Sequence, residues 1–261
     1  MADKNAPNKK AIPVSILKDT KLSVLEKNSP YLKNPFRHNY HTIADLLKRH
    51  DRTILAFKGS NNDLRYDEIK LKKLKTKWFY FSTMIGASFR TLEKIAAYAS
   101  KNDIKIAFNI SSYLAKKGKG FLGNVLKKVD ILILNKEEAI LLSGKKDEMR
   151  NLLKKLSKLG PKIVAITDGE KGAYAYDGKY AYYGKPHNVK IVETTGAGDA
   201  FASSFLSGIM RKNNIIFAID LGMTNAESVI QHHGAKEILL TYNQALKAMK
   251  KRPRKVIKSP I

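Results

Sequence analysis

The sequence predicts an α/β fold, a mainly parallel sheet flanked by helices on both faces. Three observations predict it. From about residue 52 onward, short apolar runs bounded by turn residues alternate with segments of helical periodicity. Residues 129–134 (VDILIL) are nearly all apolar, as expected of a strand covered on both sides. Three candidate functional stretches, 135–138, 167–172 and 195–199, each follow a predicted strand or open a predicted helix. Open α/β sheets bind ligands at such places.

The elements are expected in this order. Residues 1–38 contain Pro7, Pro13, Pro30 and Pro35 and little periodicity, so they read as an irregular N-terminal segment. Its start, MADKNAPNKK, is polar and lacks a secretory apolar core. Residues 39–246 read as one α/β domain. Within it, 52–57 (RTILAF) reads as a strand. Residues 78–85 form an aromatic strand. Residues 88–100 form a helix, with Leu92, Ile95, Ala96 and Ala99 on one face. Strands follow at 104–110 and 129–134, helices at 136–142 and 149–159, and a strand at 163–167. Segments 173–176 and 180–183 flank Asp177-Gly178, a hairpin signal. Helices are expected at 200–212 and 216–232, then a basic helical tail over 247–261.

Composition narrows the function classes. The chain has no cysteine, so a disulfide framework and thiolate metal sites are excluded. No apolar run approaches the ~18 residues that span a bilayer. Together these point to the cytoplasm and away from a membrane. The net charge is +26, and only nine of the 49 basic residues are arginine. The lysines are dispersed, as on solvated helix faces, and are densest over 247–258. No zinc spacing or aromatic-interleaved RNA motif accompanies them, so nucleic acid is not the expected partner.

The most informative stretch is ETTGAGDAF, residues 193–201. Gly196, Ala197 and Gly198 run into Asp199 and then into a helix. A helix N-terminus carries unpaired N–H donors and a partial positive charge, and glycine lets a ligand approach its backbone. Phosphate is the usual anion at such a turn. A carboxylate beside it would repel phosphate unless it has its own task, such as accepting a proton from an attacking hydroxyl. Asp199 as a plain helix cap reads equally well from these residues alone. The same openness holds elsewhere. Asn135 and Glu138 could begin a helix or organise a ligand. Gly169 and Gly172 could be tight turns. His232 lies near a helix end, where it could cap carbonyls.

Taken in order, these stretches resemble the ribokinase-like (PfkB) carbohydrate kinases. ETTGAGDAF is similar to the family's C-terminal signature, ILNKEEA (133–139) to its N-x-x-E motif, TDGEKGA (167–173) to its strand-to-glycine loop, and NAESVIQHHGA (225–235) to its adenine-bordering helix. FNISSYL (108–114) also resembles archaeal-type members. The resemblance implies an enzyme that moves a phosphoryl group from ATP to a hydroxyl of a sugar or nucleoside, with Mg²⁺. It implies that Asp199 is the general base and that Gly196, Ala197 and Gly198 supply N–H donors. It implies that Asn135 and Glu138 organise the metal, Glu138 as its carboxylate, and that Thr167, Gly169 and Gly172 hold phosphates. Asn225, His232 and Gly234 would lie near the adenine.

Two departures bear on these expectations. The family's N-terminal Gly-Gly sugar motif is missing, since the first glycine is Gly59. The substrate pocket therefore reads as incomplete. A degenerate nucleotide-binding protein on a kinase scaffold is the alternative. Glu193 stands where the family has Asp, which weighs against potassium activation. The resemblance also implies that 52–57 is the remnant of a small lid strand near 40–60, whose unpaired edge would favour a homodimer.

Overall fold

A computed structural model describes residues 62–260, all within the unit Lys58–Ile261. The expected lid strand over 52–57, and with it the basis for a homodimer, lies outside the described residues.

Among the described residues, seven strands form one sheet in chain order. They are β1 (Trp78–Phe81), β2 (Lys105–Asn109), β3 (Ile131–Asn135), β4 (Ile163–Thr167), β5 (Ala173–Tyr176), β6 (Tyr180–Gly184) and β7 (Val256–Pro260). Strands β1 to β4 are parallel because helices carry the chain back between them. These helices are α1 (Gly86–Lys101), α2 (Ser112–Leu126) and the pair α3 (Lys136–Ser143) and α4 (Met149–Ser157). Strands β5 to β7 are antiparallel, so the parallel character expected for most of the sheet belongs to its first half. Short connections enforce the change from β4 to β5 and from β5 to β6, whereas β7 returns to the sheet only after three helices. At the β5–β6 turn the Asp177 carboxylate accepts the Lys179 N–H at 2.9 Å and the Tyr180 N–H at 2.6 Å.

The strands are apolar on both sides because both faces are covered. In β2 and β3, Ile106, Phe108, Leu132 and Leu134 pack under α1 to α4. Their neighbours Ala107, Ile131 and Ile133 pack under α5 (Ala197–Lys212) and α6 (Ile215–Ile230). The small residues Ala107, Ala165 and Ala175 on this second face leave room for Phe201 and Phe205 of α5.

The sequence reading differs from the structure at three places. Helix α2 was not anticipated: Gly118, Gly120 and Gly123 interrupt its pattern, and Gly118 has φ 75° within it. Helix α5 begins at Ala197 rather than at residue 200, because its first turn is built from small residues. The tail is not one helix. Helix α7 (Tyr242–Lys251) ends at Arg252, the residue before Pro253, where the helical conformation is disfavoured and ψ is 80°. The chain then pairs with β6 as the edge strand β7.

Candidate active site

The segment between β6 and α5 closes against α6. Val192 and Glu193 both donate N–H groups to the Ile230 carbonyl, at 2.8 and 3.2 Å. Gly196 then adopts φ 84° and turns the chain into α5. The first bond of the helix runs from the Ala200 N–H to the Gly196 carbonyl at 2.9 Å. Ala197, Gly198 and Asp199 form the first turn, and the N-cap residue Gly196 has no side chain with which to cap it. The N–H groups of Gly198 and Asp199 precede the helical ladder, as the first donors of any helix do.

This turn lies in the wall of a cleft of about 660 Å³. Ala197 and Gly198 line it together with Thr167, Gly169 and Gly172 of the loop after β4. Phe201, Met223, Ala226, Ile230 and Val189 give it an apolar wall. The cleft thus combines a helix N-terminus and backbone-rich loops with an apolar surface. An anionic group attached to a flat apolar body fits that combination. Asp199 is exposed and stands in the same first turn, one residue beyond Gly198. Its negative charge helps burial raise the pKa of the Tyr80 hydroxyl on β1, although burial is the larger cause. Asp199 itself is not among the residues that line the cleft.

Other expected site residues take different places. Asn135 and Glu138 form a reciprocal cap on α3. The Glu138 N–H donates to Asn135 Oδ1 and the Asn135 N–H donates to Glu138 Oε2, both at 2.9 Å. Strand register sets Asn135 beside Thr167, next to the cleft but not in its lining. Glu138 is 9% exposed, and burial raises its carboxyl above the usual range against the hydrogen bonds from Asn135 and Ser112. Asn225 is buried, donates to Ser204 Oγ at 2.7 Å and accepts the Leu240 N–H at 2.9 Å. It ties α5, α6 and the start of α7 together and does not line the cleft. His232 bonds the Ser228 carbonyl at 3.1 Å and lines a separate shallow depression with Lys190 and His233. Gly234 has φ 97° and donates its N–H to Glu193 Oε2 at 3.0 Å.

The structure also brings forward residues that were not singled out in the sequence. Lys185, His187 and Glu227 line the cleft. Behind them lies Arg254, bonded to all three. Nothing in a lysine-rich tail marks one arginine as buried. Among the described residues, no three His, Cys, Asp or Glu side chains gather as a metal-binding cluster. No helix there is long and apolar enough to cross a membrane.

Comparison with known proteins supplies the family. The chain is 29% identical over 192 residues to a protein named "Uncharacterized sugar kinase" from Archaeoglobus fulgidus, covering 72% of this chain and 74% of that one. It is 34% identical over 122 residues to a cytidine kinase from Thermococcus kodakarensis, covering 45% and 43%. It shares its fold with a candidate ribokinase II from E. coli solved with ATP and Mg²⁺. That likeness has a TM-score of 0.66 at 19% identity and covers 76% of this chain and 67% of that one. The chain thus spans from under half to about three quarters of these relatives. Residues 37–241, most of the sequence and including the cleft and the α5 turn, match the pfkB family carbohydrate kinases, and the chain belongs to that family.

Proposed function

We propose that this chain transfers the terminal phosphoryl group of ATP to a hydroxyl of a sugar or nucleoside. The observation that carries the reading is the α5 turn: backbone donors opening onto a cleft with an apolar wall, followed at once by an exposed carboxylate. The sugar kinase and cytidine kinase relatives support the two acceptor classes.

Asp199 takes the proton of the acceptor hydroxyl as its oxygen bonds to phosphorus. The bond from phosphorus to the bridging oxygen breaks, and ADP leaves. Charge on the transferred group falls beside the N–H donors of Gly198 and its neighbours. One such preorganised donor is worth about 3–4 kcal/mol of barrier. Phosphoryl transfer asks little more than positioning and charge neutralisation. Thr167, Gly169 and Gly172, which line the same cleft, would hold the phosphates.

A cleft of about 660 Å³ with apolar and backbone-rich surface is within the size range of small-molecule sites and suits ATP by its chemistry. Mg²⁺ is consistent with the donor set in a limited way. Glu138 is a single carboxylate in the first turn of α3, directly after the β3 residue that pairs with Thr167, and Mg²⁺ usually keeps several waters and takes its other ligands from phosphates. Asn135 and Glu138 would hold it. When bound, the ion would neutralise phosphate charge.

The test is a product-detected transfer screen with ATP, Mg²⁺ and a panel of sugars and nucleosides, run beside Asp199→Asn. Product that disappears in the variant is expected. A folded wild-type chain that binds ATP yet phosphorylates nothing would overturn the proposal.

A further inference from the structure

The guanidinium of Arg254 is only 1% exposed, although it comes from the basic segment after α7. Its Nε donates to Asp220 Oδ1 at 3.1 Å. One terminal nitrogen donates to Glu227 Oε2 at 2.9 Å and lies 2.9 Å from His187 Nδ1. The other donates to the Lys185 carbonyl. The His187 N–H in turn donates to Glu227 Oε1 at 2.8 Å. All three guanidinium nitrogens are therefore committed, and the partners come from two pieces of the cleft wall. Lys185 and His187 belong to the loop after β6, and Glu227 to α6.

Pairing of β6 with β7 delivers this arginine. Gly184, one residue before Lys185, lies opposite Val256. A Cβ at Gly184 would stand 3.6 Å from Arg254 Cδ and far closer to Ile219 and Met223. Burying a charged cluster is seldom the best route to stability, because desolvation offsets much of the attraction. Burial indeed raises the Asp220 carboxyl above its usual range despite Arg254 beside it. What the cluster supplies is geometry. A planar fork can hold a carboxylate, a carbonyl and an imidazole in fixed directions, which the point charge of a lysine cannot.

We infer that Arg254 is a positioning residue of the nucleotide site, fixing the loop after β6 against α6 and so setting the width of the cleft. The inference rests on reading the cleft as the nucleotide site. It makes the segment beyond residue 251 part of the catalytic unit, although the family match ends at residue 241. The segment holds the loop at a second point as well, through Arg252 and the Asn188 carbonyl at 3.4 Å.

The experiment compares ATP dissociation constants, by calorimetry on the full chain, for wild type, Arg254→Lys, Arg254→Met and Arg150→Ala. Arg150 also ties this segment, donating to the Pro260 carbonyl at 2.6 Å, but it is exposed and does not line the cleft. Arg254→Lys is expected to fold and to raise Kd roughly tenfold, a change of one decade in affinity. KM for ATP should rise in parallel while kcat holds within about threefold, since the arginine touches no reacting atom. Arg150→Ala should lower the melting temperature and leave Kd unchanged. Wild-type affinity in Arg254→Lys, or an equal loss in Arg150→Ala, overturns the inference. If neither Arg254 variant folds, Asp220→Asn carries the test. It loosens the guanidinium from outside the cleft and keeps an acceptor. Raised Kd supports the inference and wild-type Kd overturns it. A wild-type chain that binds no ATP overturns it too. A chain that binds ATP without making product sinks only the kinase reading and leaves the comparison of Kd values intact.

Discussion

A side chain at Gly196 would collide with Ala235: a Cβ built there lies 2.2 Å from the Ala235 carbonyl oxygen. Two residues on, a Cβ at Gly198 meets nothing within 4 Å. The two glycines of the signature thus serve different ends. Gly196, at φ 84°, is required by the fold. Gly198 leaves space in the cleft for a ligand. Gly196→Ala is expected to destabilise the protein by at least the ~1–3 kcal/mol of a strained backbone, with the clash added. Gly198→Ala should melt with the wild type but bind ATP more weakly. Denaturant unfolding and ATP titration of both variants check this. Equal stability in the two would refute the division.

Asp199 is exposed, so its replacement should leave the fold alone. Asp199→Asn is expected to lower kcat by roughly 10²–10⁴, the usual contribution of a positioned base. ATP affinity should stay equal to or slightly above that of the wild type, because a carboxylate beside the phosphate site is removed. A kcat within a factor of a few would assign the base elsewhere.

How far the sequence reached can be seen residue by residue. The strands β2 to β6 were legible because each is a short apolar run closed by turn residues, and Asp177-Gly178 announced the β5–β6 hairpin. Helix α2 was hidden by its glycines and lysines. The turn at Gly196 and its helix were legible because the small residues stand together in the chain. The Arg254 cluster was not, because its members are spread over residues 185 to 254 and meet only through β6–β7 pairing. Asn225 shows the opposite limit. Its motif drew attention to the nucleotide, whereas its hydrogen bonds go to Ser204 and Leu240.

Asn225 therefore yields a prediction of its own. Asn225→Ala would leave the Leu240 N–H and the Ser204 hydroxyl without this partner. An unmet buried group costs about 1–3 kcal/mol and the half-buried Leu240 N–H falls at the low end, so stability should fall by about 2–4 kcal/mol. ATP affinity measured well below the melting temperature should change less than twofold. A large loss of affinity with little loss of stability would return Asn225 to the nucleotide site.

The cap formed by Asn135 and Glu138 separates a structural role from a metal role. Glutamine at 138 can still accept the Asn135 N–H, so Glu138→Gln keeps the cap and removes the charge. Burial raises the Glu138 pKa in the folded state, so its ionised form opposes folding. Its stabilising contribution is complete below the unfolded-state pKa and is lost as pH rises through the folded one. The glutamine variant should match the wild type in acid and gain on it toward neutral pH. If Glu138 serves Mg²⁺, the same variant should lose most of its turnover and need more Mg²⁺ to reach half of what remains. Melting curves from pH 4 to 8, read with Mg²⁺ titrations of activity, decide between the two. A variant that is more stable at neutral pH and fully active would leave Glu138 as a helix cap alone.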